Sequence, residues 1–252
     1  MENLLISIMA GGLGKRMESN IPKVLHKLGN YPLIAHIINT CLKLKPKKIL
    51  IIVGKYKDII EREILQYIDE SIIKNYIEYV IQKEALGTGD AIKSCIHIYK
   101  NNINCTNLIL SGDVPLINEG SLKKLIKISK ESGILINELE NPKGYGRIIM
   151  HNKDFIKIVE EKDCNDEERK INIVNSGIYC ISCELLVKYL PLISNNNKQN
   201  EYYLTDILEI IKNNENNKIN LMLLEKNRNY EVLGINNKQQ LEELEIIYNN
   251  LQ

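Results

Sequence analysis

The stretch LLISIMAGGLGKRM, residues 4–17, joins an apolar run to a glycine-rich turn that ends in two cations, Lys15 and Arg16. A short apolar run bounded by a glycine turn predicts a strand that is buried in a sheet. The backbone N–H groups of such a turn can face a phosphate, and a nearby Lys or Arg adds positive charge. The stretch therefore predicts an α/β protein with a phosphate-binding turn after its first strand.

Two common phosphate-binding turns do not fit this stretch. A dinucleotide fingerprint needs a third glycine where Met17 stands, and an acidic residue at the end of the second strand, where Val53-Gly54-Lys55 stands. A Walker P-loop needs a glycine at the position of Met9 and a hydroxyl residue at the position of Arg16. NAD binding and kinase or ATPase activity are therefore not expected. From the residues alone, a tight turn with incidental surface cations remains an equally good interpretation.

Further along the chain, strand-like and helix-like segments alternate. Runs rich in Ile, Val and Leu occupy residues 4–8, 48–53, 77–82 and 107–110, and helix-period segments occupy residues 33–43, 58–68 and 89–99. This alternation predicts β-α-β units and a parallel sheet with helices on both faces. Short strands at 147–150, 155–160 and 173–180 predict a mixed extension of the sheet, followed by exposed Asn-rich loops at 194–200 and 213–217 and a final helix at 238–249.

Composition excludes several classes of partner. The chain has 252 residues, a net charge of +1 and 26% charged residues, so no overall field favours nucleic acid or an anionic membrane. No segment approaches the roughly 18 apolar residues of a membrane span, and the first apolar run is typical of a strand, not of a signal peptide. We therefore expect neither a nucleic-acid partner nor a membrane partner.

The six cysteines give no metal-binding pattern. Only Cys180 and Cys183 form a C-x-x-C pair, and no second pair or set of histidines stands at zinc-ligand spacing. The pattern favours free thiols in a reducing cytosol, so we expect a cytoplasmic protein.

Nine blocks of sequence, taken together, resemble a known family. MAGGLGKRM (9–17) followed by IPKVLHKL (21–28) resembles the signature of sugar-1-phosphate nucleotidylyltransferases. Seven further blocks follow in order: VIQKEALGTGDAI (80–92), LSGDVPLI (110–117), NPKGYGRII (141–149), IVEEKD (158–163), VNSGIYC (174–180), NEYYLTDI (200–207) and GINNKQQLEELE (234–245). Together they resemble the uridylyltransferase domain of bacterial bifunctional N-acetylglucosamine-1-phosphate uridylyltransferases. The acetyltransferase half of those proteins, a left-handed β-helix, has no counterpart here, so a trimer built through it is not expected.

The resemblance implies a fold and a reaction. The fold is Rossmann-like, with a mixed, mostly parallel sheet flanked by helices, as in the glycosyltransferase-A-like nucleotide-diphospho-sugar transferases. It forms a single domain over residues 1–252, with a nucleotide-binding half at 1–140 and a sugar-binding half with the C-terminal helix at 141–252. The implied reaction makes UDP-N-acetylglucosamine and pyrophosphate from UTP and N-acetylglucosamine-1-phosphate, with Mg²⁺ as cofactor. A monomer or a homodimer is expected.

The resemblance also implies roles for individual residues. The catalytic residues are Arg16, Lys23 and Asp113, and the metal ligands are Asp113 and Asn236. The nucleotide is assigned to Ala10, Gly11, Gly12, Gly14, Lys15, Gln82, Gly87 and Thr88. The sugar is assigned to Gly146, Glu160, Asn175 and Thr205. Asp113 follows the predicted strand 107–110, and the carboxyl ends of strands are where an open α/β sheet binds ligands.

Some positions depart from the family pattern, and other functions stay open. Lys15 stands where the family usually has Thr, Gly11 replaces the usual Ala, and Ser176 replaces Thr. Glu161 stands at a variable position and is given no role. One alternative is a nucleotidylyltransferase for another sugar phosphate or another base. A second alternative is a catalytically silent regulatory subunit with the same fold, which the presence of Arg16, Lys23 and Asp113 disfavours.

Overall fold

The structure, a computed structural model, describes residues 3–12, 14, 17, 19–215 and 218–251. The strands are β1 (Leu4–Met9), β2 (Lys27–Leu28), β3 (Tyr31–Pro32), β4 (Lys48–Val53), β5 (Ile77–Ile81), β6 (Thr106–Ser111), β7 (Ser132–Glu138), β8 (Arg147–His151), β9 (Asp154–Val159), β10 (Ile173–Ser182) and β11 (Asn220–Leu223). The helices are α1 (Leu33–Lys43), α2 (Lys57–Ile64), α3 (Glu70–Tyr76), α4 (Thr88–Lys93), α5 (Ile96–Asn101), α6 (Glu119–Ser129), α7 (Cys183–Tyr189), α8 (Asp206–Glu215) and α9 (Lys238–Asn250).

Strands from both halves of the chain form one sheet, in the order β11-β7-β10-β6-β1-β4-β5. Strands β6, β1, β4 and β5 are parallel to one another, and β10 runs antiparallel between β6 and β7. Strand β11 is parallel to β7, and the β8–β9 hairpin joins β10. The predicted mixed, mostly parallel sheet is therefore confirmed. Since β10 is reversed, its first residues lie at the edge where β1, β5 and β6 end.

Apolar side chains fill both faces of this sheet. Within β1, Leu4, Ile6 and Ile8 belong to the core under α1, α2 and α6, whereas Leu5 belongs to the core under α4, α5, α7 and α8. A smaller cluster, which includes Leu244 of α9, packs against the segment after β1. Burial on both faces explains why β1 and β4 are continuous apolar runs rather than alternating ones.

Two predicted helices are interrupted in the structure. The segment predicted as a helix over 58–68 ends as α2 at Ile64, and Asp69 then begins α3 by accepting a hydrogen bond from the Ser71 N–H at 2.8 Å. The segment predicted over 89–99 is split into α4 and α5, and the Ser94 hydroxyl donates to the Asp90 carbonyl at 3.1 Å where α4 ends. Periodicity alone did not reveal either break.

The predicted loop at 213–217 is wrong over Asn213 to Glu215, because α8 continues to Glu215; residues 216 and 217 lie outside the described residues. The predicted final helix is confirmed to within one residue by α9. All six cysteines are buried free thiols. Among the described helices, none is both long and apolar enough to span a bilayer.

Candidate active site

The glycine turn follows β1 at the carboxyl edge of the sheet. Ala10 is still tied to β4, because its N–H donates to the Ile52 carbonyl at 2.8 Å. A Cβ on Gly12 would meet nothing within 4 Å, so the backbone there is accessible. Gly14 has a φ of +70°, and a Cβ on it would come within 2.8 Å of the Lys23 side chain. The turn therefore needs glycine at position 14 and leaves an open approach at position 12.

Of the predicted cations near this turn, the structure describes Lys23. Lys15 and Arg16 lie outside the described residues. Lys23 begins a short 3-10 turn after Pro22, and its N–H donates to the Gly12 carbonyl at 3.3 Å. The glycine turn thus carries the Lys23 side chain toward the ends of the neighbouring strands.

Lys23 meets both predicted metal ligands. Its Nζ donates to Asp113 Oδ2 and, at 2.9 Å, to Asn236 Oδ1. The side chains of Lys23 and Asp113 are each only 15% exposed. Asp113 and Asn236, which are 123 positions apart in the chain, therefore both bind Lys23 Nζ. The structure thus brings together three of the residues predicted for catalysis and metal binding.

Neighbouring groups hold these oxygens in place. The Ser111 hydroxyl donates to Asp113 Oδ1 at 2.6 Å, and the Ile235 N–H donates to the Asp113 carbonyl at 3.1 Å. The Asn236 N–H donates to Gln240 Oε1 at 2.7 Å, one turn into α9. Sequence reasoning missed Ser111 and Gln240, although the spacing of four between Asn236 and Gln240 at a helix start is a recognisable signal.

A cleft of about 290 Å³ opens beside Asp113. Its walls include residues predicted to bind the nucleotide, namely Gly11, Gly12, Gln82, Gly87 and Thr88, together with Lys23, Ser111, Asp113 and Glu201. The carboxyl ends of β1, β5 and β6 thus supply one continuous cavity, as expected for an open parallel sheet.

The far wall of the cleft is the turn before α4. Gly87 has a φ of +117°, and a Cβ on it would lie 2.5 Å from the Tyr202 carbonyl oxygen. The Tyr202 N–H donates to the Leu86 carbonyl at 2.8 Å, and its carbonyl accepts from the Gly89 N–H at 2.7 Å. Gly87 is therefore required both by backbone conformation and by close packing against segment 201–205.

The four residues predicted for the sugar also lie together. The Thr205 hydroxyl donates to Glu160 Oε1 at 3.2 Å, and the Asn175 N–H donates to the Gly146 carbonyl at 2.9 Å. A Cβ on Gly146 would lie 3.4 Å from Glu160 Oε2. Asn175 is oriented by Tyr179, whose hydroxyl accepts from Asn175 Nδ2 at 2.8 Å. These contacts form a polar cluster at the start of β10, called the β10 cluster below.

Two links connect the β10 cluster to the cleft. The Thr88 hydroxyl accepts a hydrogen bond from the Leu204 N–H at 3.0 Å, next to Thr205. On the other side, the Tyr145 hydroxyl accepts a hydrogen bond from the Gly234 N–H. Burial raises the pKa of Tyr145 and this hydrogen bond opposes the rise. The negative charge of nearby Asp113 raises the pKa further. Tyr145, which sequence reasoning missed, therefore lies between the β10 cluster and Asp113.

Carboxyl groups are concentrated at and around the β10 cluster. Burial raises the pKa of Glu160, the Thr205 hydroxyl opposes this, and the charge of Asp206 adds to the rise. Burial also raises the pKa of Asp206 to about 6, with further contributions from the charges of Glu209 and Asp163. A carboxylate held in such a place is a strong hydrogen-bond acceptor that lacks competing water.

The raised pKa of Asp206 predicts how stability depends on pH. The pKa of Asp206 in the folded protein, about 6, exceeds the ordinary value of 3.8, so the folded state favours the protonated carboxyl. The contribution of this group to the free energy of unfolding is therefore complete below pH 3.8 and is lost as pH rises through 6. The full difference corresponds to about 3 kcal/mol, and solvent screening of this partly exposed carboxyl reduces it to about 1–2 kcal/mol. We expect Asp206→Asn to exceed wild type by that amount in free energy of unfolding at neutral pH, and to match it near pH 3.5.

Urea denaturation at the two pH values measures this difference. Asp58→Asn is the matched control, because Asp58 is exposed in the first turn of α2. If Asp206→Asn exceeds wild type in free energy of unfolding by the same amount at both pH values, the pKa of Asp206 is not raised in the folded protein.

A buried ion pair supports the loop that carries Gly146. Arg147 Nη2 lies 2.8 Å from Glu161 Oε2, and the Arg147 side chain is 2% exposed. Glu161 also accepts from the Gly144 N–H at 3.0 Å, and Arg147 Nη1 donates to the Tyr145 carbonyl. Glu161, given no role in the sequence analysis, thus fixes the loop at two points. Its position next to Glu160 was the available signal.

Comparisons with known proteins identify the family of the chain. Residues 6–227 match the family described as Nucleotidyl transferase. The chain is 45% identical over 249 residues to a protein of Acanthamoeba polyphaga mimivirus named "Probable UDP-N-acetylglucosamine pyrophosphorylase", which covers 97% of this chain and 96% of that protein. It is 44% identical over 253 residues to the "Bifunctional protein GlmU" of Buchnera aphidicola subsp. Baizongia pistaciae (strain Bp), over 99% of this chain and 53% of that protein. The chain therefore spans about half the length of this bifunctional relative.

Solved structures show the same fold. The structure of UDP-glucose pyrophosphorylase complexed with UDP-glucose aligns with a TM-score of 0.78 at 19% identity, over 100% of both chains. The apo form of UDP-glucose pyrophosphorylase aligns with a TM-score of 0.73 at 19% identity, over 100% of this chain and 99% of that one. At such identity the likeness concerns the fold alone. The match over residues 6–227, the identity to relatives along nearly the whole chain and the shared fold establish that the protein belongs to the nucleotidyl transferase family.

Proposed function

We propose that this protein is a uridylyltransferase that makes UDP-N-acetylglucosamine and pyrophosphate from UTP and N-acetylglucosamine-1-phosphate. The observation that carries the proposal is the convergence of Asp113 and Asn236 on Lys23, beside a cleft of about 290 Å³ that Lys23 and Asp113 line. The 45% identity to the mimivirus protein supports the same substrates.

The reaction needs alignment and positive charge more than a protein nucleophile. An oxygen of the sugar phosphate attacks the α-phosphorus of UTP, the bond to the pyrophosphate oxygen breaks, and the product retains the new P–O bond. The sugar phosphate is already an anion at neutral pH, so no strong general base is required. In this proposal the triphosphate is held by the open backbone at Gly12 and by the cation of Lys23. Arg16, which the family resemblance assigns to catalysis, adds a second cation.

The side chains at the centre fit a magnesium ion. Asp113 Oδ2 and Asn236 Oδ1 both accept hydrogen bonds from the ammonium group of Lys23. These two oxygens are therefore placed to bind a cation together. Mg²⁺ accepts one or two protein oxygens and completes its shell with water and phosphate. When bound, it would neutralise charge on the triphosphate and the leaving pyrophosphate. Ser111 and Gln240 orient the two ligands for that role.

In this proposal the β10 cluster forms the sugar pocket, and its side chains suit a sugar that carries hydroxyl and acetamide groups. Glu160 can accept hydrogen bonds from sugar hydroxyls, and Asn175 can bond a hydroxyl or the acetamide. A Cβ on Gly146 would lie 3.0 Å from the Ile158 side chain and 3.4 Å from Glu160 Oε2, so a larger residue there would displace the Glu160 carboxylate. Thr205 fixes the Glu160 carboxylate from the other side.

A substrate panel tests the proposal. Pyrophosphate release is measured with UTP, CTP, GTP and ATP, each combined with N-acetylglucosamine-1-phosphate or glucose-1-phosphate. The pair UTP and N-acetylglucosamine-1-phosphate is expected to give the highest kcat/KM. Equal or better turnover of another pair would favour the alternative nucleotidylyltransferase, and no turnover of any pair would favour the silent regulatory subunit.

The Arg147–Glu161 pair leads to a prediction on the same reaction. Glu161→Gln removes the charge that holds the loop at Gly144 and Arg147, so the sugar pocket is less well ordered. We expect the KM for the sugar phosphate to rise about fivefold to tenfold, with a smaller change in kcat and in the KM for UTP. The control is Glu167→Gln, because Glu167 lies in an exposed ion pair with Lys170 nearby. A change in the KM for UTP alone would argue against a role in the sugar pocket.

A further inference from the structure

The side-chain amide of Gln82 has a forced orientation. Its Nε2 donates to the Gly87 carbonyl at 3.2 Å and to Asp90 Oδ2 at 2.9 Å. A carbonyl and an ionised carboxylate only accept hydrogen bonds, so the amide nitrogen must face them. Rotating the amide by half a turn would place its oxygen against two acceptors.

This orientation determines what the cleft presents to a ligand. With the nitrogen occupied, Gln82 Oε1 lies on the side of the glycine turn, 3.6 Å from where a Cβ on Gly11 would stand. Gly11 and Gln82 both line the cleft. The group offered at this wall is therefore a hydrogen-bond acceptor. Uracil carries a hydrogen on N3 and can donate to it, whereas N3 of cytosine has a lone pair and would be repelled.

Asp90 contributes more to this orientation than Gly87. The Gly87 carbonyl also accepts the helical hydrogen bond of the Ala91 N–H at 3.1 Å, and its distance to Gln82 is the longer of the two. The Asp90 carboxylate makes the shorter bond, and a charged acceptor binds more strongly than a neutral one. Asp90 sits in the first turn of α4, where the helix favours a negative charge.

We infer that Asp90 is a specificity-determining positioning residue: it fixes the Gln82 amide so that its oxygen faces the nucleotide cleft and selects a uracil base over cytosine. This inference rests on the proposed function. Asp90 contacts Gln82 and is not among the described residues that line the cleft, so it acts through the orientation of another side chain.

Asp90→Asn tests the inference. An Asn side chain can donate to the Gln82 oxygen, so the amide can turn and direct its nitrogen to the cleft, where it can bond N3 of cytosine. We expect kcat/KM for UTP to fall and that for CTP to rise, so the UTP-to-CTP ratio drops about tenfold or more. Binding of UTP and of CTP without sugar phosphate, measured by calorimetry, should show the same change in ratio without any chemistry.

Controls separate this inference from the proposed function and from loss of structure. Asp58→Asn makes the same change in the exposed first turn of α2 and should keep the wild-type ratio. Asp90→Ala removes the acceptor without adding a donor and should lower the ratio less than Asp90→Asn. Equal loss of UTP and CTP binding in folded Asp90→Asn, or an unchanged ratio, overturns the inference. If wild type does not prefer UTP, the proposed function itself fails.

Discussion

Replacing Asp113 by Asn is expected to lower kcat by about a hundredfold to a thousandfold, the scale of removing one preorganised charge-stabilising group. Asn keeps the size of Asp and can still accept from Ser111, but it lacks the charge that meets a cation beside Lys23 and Asn236. Steady-state pyrophosphate release measures kcat, and electron paramagnetic resonance with Mn²⁺ measures metal binding. Both should fall, while the fold is retained.

The control for this change is Asp166→Asn. The Asp166 side chain is 97% exposed, so the same chemical change there should leave kcat within about twofold. An Asp113→Asn enzyme that keeps more than a tenth of the wild-type kcat would show that Asp113 is not part of the catalytic centre.

Replacing Lys23 by Met is expected to lower kcat by about a hundredfold while strengthening metal binding in the absence of nucleotide. The ammonium of Lys23 occupies the position between Asp113 Oδ2 and Asn236 Oδ1. A divalent ion must compete with the Lys23 ammonium for these oxygens. Because hydrogen bonds that involve charged groups are strong, this competition weakens metal binding. Without the ammonium, Mn²⁺ should bind about tenfold more tightly, whereas the triphosphate loses a cation that stabilises its charge.

Lys27→Met provides the matched control, because Lys27 is exposed and its Nζ lies over the Tyr67 ring rather than at the centre. A lower kcat together with tighter Mn²⁺ binding is expected only for Lys23→Met. Unchanged or weaker Mn²⁺ binding by that variant would mean that Lys23 and the metal do not share ligands.

The N-terminal half of the fold could be predicted because its strands are unambiguous. Strands β1 and β4 are buried on both faces, so their apolar runs are continuous and easily recognised. Strand β11 was missed because it is short, lies at the sheet edge and follows an Asn-rich stretch. The break between α4 and α5 was missed because both helices face the same core and the apolar period continues across it.

The site was predicted from motifs, and its assembly could be seen only in the structure. No periodicity indicates that Asn236 reaches Lys23, which is 213 positions away. Tyr145 and Glu161 act through a backbone N–H and a buried arginine, and such contacts leave no pattern in the sequence. Asp90 was passed over because its partner, Gln82, becomes a neighbour only when β5 ends beside α4.

In the proposed mechanism, Lys23, Asp113 and Asn236 align two substrates for a direct displacement at the α-phosphorus. The most direct test uses one diastereomer of UTP with sulfur on the α-phosphate and determines the configuration of the UDP-sugar formed. A single in-line displacement predicts inversion at that phosphorus. Retention would require two displacements through a protein-bound intermediate and would contradict the account.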